Sequence, residues 1–120
     1  MIQTIKNIPR RVVNASRYSW DGLRSAWAKE EAVRLELLAF VILAAALVFV
    51  PWPLWKKLAL AAIFVIIPLT EMLNSAIEDL CDLVSPEFQP LIKSSKDKGS
   101  AAVLLAIFVN ILALAALIAL

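Results

Sequence analysis

Three stretches without a charged side chain dominate this chain: residues 37–55, 58–70 and 99–120, which are 19, 13 and 22 residues long. An α-helix needs roughly 20 apolar residues to cross a hydrocarbon core about 30 Å thick. The first and third runs meet that length by themselves. The second meets it only if its helix continues through Glu71, Asn74 and Glu78. Residues 72–83 have helical composition and no proline, so the sequence predicts that it does. The chain is 62% hydrophobic, and a soluble fold of 120 residues could not bury so much apolar surface. The expected class is all-α integral membrane: an N-terminal amphipathic surface helix plus three transmembrane helices, forming a single membrane domain over residues 1–120.

The spans are expected at about 31–51, 56–84 and 95–120. Pro51 and Pro53 end the first, with Trp52 and Trp55 placed as interfacial anchors. Between the second and third, the run SPEFQP at 85–90 carries two prolines that should block helix over about 85–95. Asn110, midway along the third span, is placed to hydrogen-bond a neighbouring helix. The surface helix is expected over about 9–28. Pro9 suits a first helical turn, Trp20, Leu23 and Trp27 recur at i, i+3 and i+7, and Arg10, Arg17 and Arg24 recur every seven residues. That pattern alone leaves open whether the helix only anchors the chain or also serves a site.

Charge placement sets an expected orientation. Seven Lys or Arg precede the first span, Lys93, Lys96 and Lys98 separate the second from the third, and only Lys56 and Lys57 separate the first from the second. Cations concentrate on the cytoplasmic side, so the N-terminus and second loop should be cytoplasmic and the C-terminus periplasmic or extracellular. The first 36 residues have no early apolar core, which argues against a cleavable signal peptide and for a retained first span. A net charge of +2 without a basic, aromatic-interleaved patch argues against nucleic acid as a partner. Cys81 is the single cysteine and there is no histidine, which removes internal disulfides and zinc clusters and leaves Cys81 as a small packing residue. With Gly22 and Gly99 the only glycines, a glycine-rich phosphate loop cannot be built, and any phosphate cradle must use side chains.

The second span carries the chemistry. At about 100° per residue, Glu71, Glu78 and Asp82 fall within about 20° of one line, with Asn74 about 60° aside. An ionisable side chain at membrane depth costs roughly 2.5–3.5 kcal/mol or more, so a helix that keeps such a stripe needs a reason. Solvation of a wet helix end is one. Proton coupling, general-base catalysis and binding of a hard cation are others, and carboxylates beside an amide suit magnesium, which commonly takes one or two carboxylates plus substrate phosphates. Lys96 and Asp97, at the membrane edge of the third span, place a cation where an incoming phosphate could meet it, although lysines there often only snorkel.

Three blocks resemble the prokaryotic diacylglycerol kinases, small three-span bacterial membrane enzymes that include undecaprenol kinases: YSWDGLRSAW at 18–27, EMLNSAIED at 71–79 and KDKGSAA at 96–102. With their spacing they cover about residues 11–110. The resemblance implies transfer of the γ-phosphoryl group of MgATP to the hydroxyl of diacylglycerol, giving phosphatidic acid, by a homotrimer in the bacterial cytoplasmic (inner) membrane, with Mg2+ as cofactor. It also implies roles by position: Glu71 as catalytic base, and Glu30 and Glu78 as metal-binding carboxylates. Arg11, Tyr18, Glu30, Glu78, Glu87, Lys96 and Asp97 become nucleotide contacts. Ser19, Trp20, Arg24, Trp27, Asn74 and Ser100 line the lipid or support the site. Pro68 is outside the motif and predicts a kink about one turn before Glu71.

Three other readings remain at this stage. A shared apparatus could phosphorylate undecaprenol instead of diacylglycerol. Glu71 could be the proton-linked acid of a small transporter, although such chains usually have four spans. The acids could simply pin helices together in a non-catalytic membrane subunit.

Overall fold

The computed structural model describes residues 7–120. Those residues form five helices and no strand: α1 Ile8–Lys29, α2 Glu31–Phe49, α3 Leu54–Phe64, α4 Ile66–Val84 and α5 Pro90–Ala119. The chain separates into two compact units, the second being Ala32–Leu120. Each is described by itself.

The first unit contains α1. Asn7 precedes it without a side-chain cap, Pro9 occupies its first turn, and Lys29 stands in its last turn, where a cation complements the exposed carbonyls. Ser16 and Ser19 donate to the carbonyls of Val12 and Ala15, both at 2.9 Å, so these hydroxyls are engaged by their own helix. The helix stops at Glu30, whose backbone is extended (φ −101°, ψ 108°) and whose N–H still reaches the Ala26 carbonyl at 2.8 Å.

Three segments, Glu31–Phe49, Leu54–Val84 and Pro90–Ala119, are long and apolar enough to cross a membrane, and all their residues but Glu31 belong to the second unit. Leu47, Leu60 and Leu117 are buried against one another, with Leu43, Val50, Trp52 and Ala59 packed around them. The C-terminal part of α2, the middle of α3 and the end of α5 therefore meet at one end of the bundle. Lys56 lies there too. The sequence places it in the first loop, yet it sits in α3, only 8% exposed. Its Nζ donates to the Leu117 carbonyl at 3.0 Å and lies 5.6 and 5.7 Å from the Trp52 and Trp55 ring centroids. The last carbonyls of a helix have no intrahelical partner, and an ammonium satisfies one while complementing the helix dipole.

The expected second span is one helix; the structure breaks it in two at Val65. Pro68 has no N–H to offer the carbonyl four residues earlier, at Phe64, and its ring crowds that carbonyl. The helix yields at the next residue and resumes at Ile66, with the Leu69 N–H bonded to the Val65 carbonyl at 3.1 Å. Thr70 Oγ1 donates to the Ile66 and Ile67 carbonyls at 2.9 and 2.8 Å. Asn110 acts as expected: Nδ2 donates to the Ile63 carbonyl on α3 at 3.2 Å, as well as to Ala106 of its own helix at 2.9 Å.

The helix of the third span, α5, also departs from expectation. It begins at Pro90 rather than near 95, because proline at the first helical position loses only an N–H that had no partner there. The irregular segment shrinks to the few residues between Ser85 and Gln89. At about 1.5 Å per residue, the 30 residues of α5 extend about 45 Å, some ten residues more than the hydrocarbon requires. The charged turns around Lys93 and Lys96 are the part left over.

Candidate active site

α4 and α5 are the most extensively packed pair of helices among the described residues. Asn74 is buried. Its Nδ2 donates to Glu78 Oε1 at 3.2 Å, the reach of an i, i+4 pair on one helix face. Its Oδ1 is buried and makes no hydrogen bond among the described residues. The carboxamide points at Gly99 of α5: a methyl group built there would overlap Asn74 Oδ1 and lie 3.2 Å from its Cγ. A glycine at 99 is what lets α5 close over the Asn74–Glu78 pair. Glu71, one turn earlier, is half-buried, whereas Glu78 and Asp82 are exposed.

Beyond Asp82 the stripe opens into a cleft of about 340 Å³, lined among others by Asp82, Glu87, Phe88, Lys93, Lys96 and Asp97. Its walls are the end of α4, the short loop and the first turns of α5. Lys96 Nζ donates to Asp82 Oδ1 at 2.5 Å, joining α5 to α4, and Lys93 Nζ pairs with Asp97 Oδ2 at 2.5 Å along α5. A second opening of about 480 Å³ lies in the α4–α5 groove, lined mostly by apolar side chains such as Leu73, Ile77 and Ala102, with Asn74, Lys98 and Gly99 at its polar edge. A polar cleft thus adjoins an apolar groove along the same two helices.

The sequence-predicted residues divide accordingly. Glu87, Lys96 and Asp97 come together in the cleft, and Asn74 meets Glu78 directly. Ser100 is exposed on α5 and lines neither opening. Arg11, Tyr18, Ser19, Trp20, Arg24 and Trp27 are exposed on α1, and half-buried Glu30 caps it, all within the first unit. Sequence reasoning missed three residues. Asp82 was visible in the stripe but had no partner to suggest a task. Lys93 carried only a topological charge, although its i, i+4 spacing to Asp97 was available. Glu36 in α2, with Oε2 buried and unbonded among the described residues, lies just ahead of the first uncharged run.

No group of three or more His, Cys, Asp or Glu side chains placed to hold a metal occurs among the described residues. The Asn74–Glu78 pair offers fewer oxygens than a dedicated metal cage. It fits a magnesium ion that takes one or two carboxylates from protein and completes its shell with phosphates and water.

The family model for prokaryotic diacylglycerol kinase matches residues 17–118. This chain belongs to that family. Among curated relatives, the diacylglycerol kinase of Escherichia coli (strain K12) is 36% identical over 102 residues, covering 85% of this chain and 84% of its own. That of Helicobacter pylori (strain J99) is 37% identical over 98 residues, covering 80% and 75%. That of Pseudomonas aeruginosa (strain PAO1) is 36% identical over 100 residues, covering 83% and 81%. The match to the prokaryotic diacylglycerol kinase family takes in both the acidic stripe of α4 and the cleft residues of α5, along with most of α1. The three helices apolar enough to span make this family member a multi-pass membrane protein.

Proposed function

We propose that the chain transfers the γ-phosphoryl group of MgATP to the free hydroxyl of diacylglycerol, giving phosphatidic acid and ADP. The observation that carries this is the cleft itself: Glu87, Lys96 and Asp97, assigned to the nucleotide from sequence, line one cavity at the end of the α4 acidic stripe. The adjoining apolar groove suits an acyl chain and the polar cleft suits a triphosphate, which is the division a lipid kinase needs.

In this reading Glu71 takes the proton of the lipid hydroxyl as its oxygen attacks the γ-phosphorus. The bond from that phosphorus to the bridging oxygen breaks, and its electron pair leaves on ADP. Lys96 neutralises phosphate charge, and Asn74 fixes Glu78 so that one carboxylate is presented in a set orientation. Glu78 and Glu30 would each offer a carboxylate to magnesium, which would supply further charge neutralisation on the phosphates. Phosphoryl transfer asks mainly for positioning and electrostatics, which these side chains provide without a glycine-rich loop. Arg11 and Tyr18 would add nucleotide contacts from α1. Ser19, Trp20, Arg24, Trp27 and Ser100 would border the lipid, with α1 lying as an amphipathic helix on the membrane surface.

The chain would work as a homotrimer in the bacterial cytoplasmic membrane, one domain per subunit, with the N-terminus cytoplasmic and the C-terminus outside. The excess of Lys and Arg ahead of the first span and between the second and third supports that orientation. The names of the relatives favour diacylglycerol over undecaprenol. The test is transfer of radiolabel from ATP into extracted lipid by the purified chain, with each alcohol, with and without magnesium. Glu71→Gln should assemble normally and lose about a hundredfold or more of the transfer, the scale of a lost general base. Magnesium-independent transfer, or ATP-free transport of solutes in vesicles, would refute the proposal.

A further inference from the structure

Asp82 closes the acidic stripe of α4 but has no task in the reaction above. Its carboxylate accepts a hydrogen bond from Lys96 Nζ at 2.5 Å, reaching from α4 to a residue 14 positions later on α5. Both side chains line the cleft that holds Glu87 and Asp97. The side chains of Lys96 and Asp82 are 37% and 63% exposed, and ion pairs in such a setting contribute only about 0–1 kcal/mol to stability. The bridge is therefore a poor clasp between helices. Its effect is on geometry, because a lysine side chain has four rotatable bonds and a carboxylate on a rigid helix selects among its conformations. Lys93, by contrast, is engaged by Asp97 on its own helix, so the bond to Asp82 is what ties a cleft ammonium across to α4.

We propose that Asp82 is a positioning residue that aims the Lys96 ammonium at the nucleotide phosphates in the cleft. This rests on the kinase reading. An ammonium has three donors, so Lys96 keeps Asp82 on one and offers the others to phosphate oxygens. A plain charge argument gives the opposite sign. The cleft lining carries Asp82, Glu87 and Asp97 against Lys93 and Lys96, and removing one carboxylate should lessen repulsion of the phosphates and tighten nucleotide binding. The direction of the change therefore separates positioning from bulk charge.

The test uses the full chain in mixed micelles, comparing wild type with Asp82→Asn, Asp82→Glu, Lys96→Ala and the Asp82→Asn/Lys96→Ala double variant. Asp82→Asn should raise KM for MgATP about tenfold while leaving KM for the lipid and the melting temperature unchanged. Asp82→Glu should recover most of the loss. In the double variant, Asp82→Asn should cost nothing beyond Lys96→Ala, because the two act as one unit. An unchanged or lowered KM for MgATP in Asp82→Asn overturns the proposal, as do additive losses in the double variant. Failure of Asp82→Asn to fold overturns it too, since so exposed a pair should not be needed for folding. Binding of a non-hydrolysable ATP analogue, followed by calorimetry, reads the same comparison without turnover. A wild-type chain that binds the analogue but phosphorylates no lipid refutes the kinase reading and leaves the Asp82 comparison readable. One that binds no nucleotide refutes both.

Discussion

Replacing Gly99 with alanine tests the packing on which the candidate site depends. The added methyl group would overlap Asn74 Oδ1 and lie 3.2 Å from Cγ, but it would stand 3.7 Å from the Asn74 Cα, an ordinary contact. The backbones can therefore stay in place, and the carboxamide must swing aside. Doing so breaks its hydrogen bond to Glu78 and forces a buried polar group to find new space. Overpacking of this kind costs about 1–3 kcal/mol. Losing a hydrogen bond to a charged group adds about 1 kcal/mol where the acceptor is exposed. Alanine returns about 1 kcal/mol through its better helix propensity. The net is a destabilisation of about 1–3 kcal/mol, summing those terms. Thermal melting in detergent, followed by circular dichroism, should show a lower midpoint. Lipid phosphorylation should need several-fold more magnesium, because Glu78 loses the group that orients it. Adding Asn74→Ala should restore the melting midpoint by removing the clash, but not the magnesium dependence. A Gly99→Ala chain with wild-type melting and wild-type magnesium dependence would refute the argument.

Lys56→Met keeps the length of the side chain but removes its bond to the Leu117 carbonyl and its attraction to Trp52 and Trp55; it should lower stability by about 1–3 kcal/mol, read as an earlier thermal transition. Nucleotide KM should not change, since the cleft lies at the other end of the bundle. Pro68→Ala supplies the missing N–H to Phe64 and should heal the break at Val65, raising the melting temperature and lowering kcat as Glu71 is re-aimed. A variant unchanged in both would place the origin of the break elsewhere. Chelation of magnesium with EDTA should abolish transfer to lipid while the far-ultraviolet dichroism stays constant, because backbone hydrogen bonds and apolar packing hold the helices.

The spans could be read from the chain because length and charge exclusion act along one dimension. Residues 37–55 and 99–120 appear within α2 to α3 and α5 with their apolar runs intact. Helix ends were less legible where proline decides them. Pro90 starts a helix instead of stopping one, and Pro68 displaces the break to Val65, several residues upstream of itself. The stripe of Glu71, Glu78 and Asp82 follows from helical period alone. Its division of labour does not, because the bond from Asp82 to Lys96 depends on how α5 returns past α4. The same holds for Gly99, whose spacing from Asn74 carries no periodic signal, and for Lys56, which looks like a loop charge until α5 arrives to accept its hydrogen bond.

That last contact also orders events during synthesis. Lys56 leaves the ribosome 61 residues before Leu117, whose carbonyl it will meet. Until then the amine has only the nearby indoles of Trp52 and Trp55, and water, as company. The start of the second span must therefore stay hydrated at its edge of the bilayer while α4 and most of α5 are made. Insertion of the third span then does more than add a helix: it brings the carbonyl that the Lys56 ammonium bonds in the finished bundle.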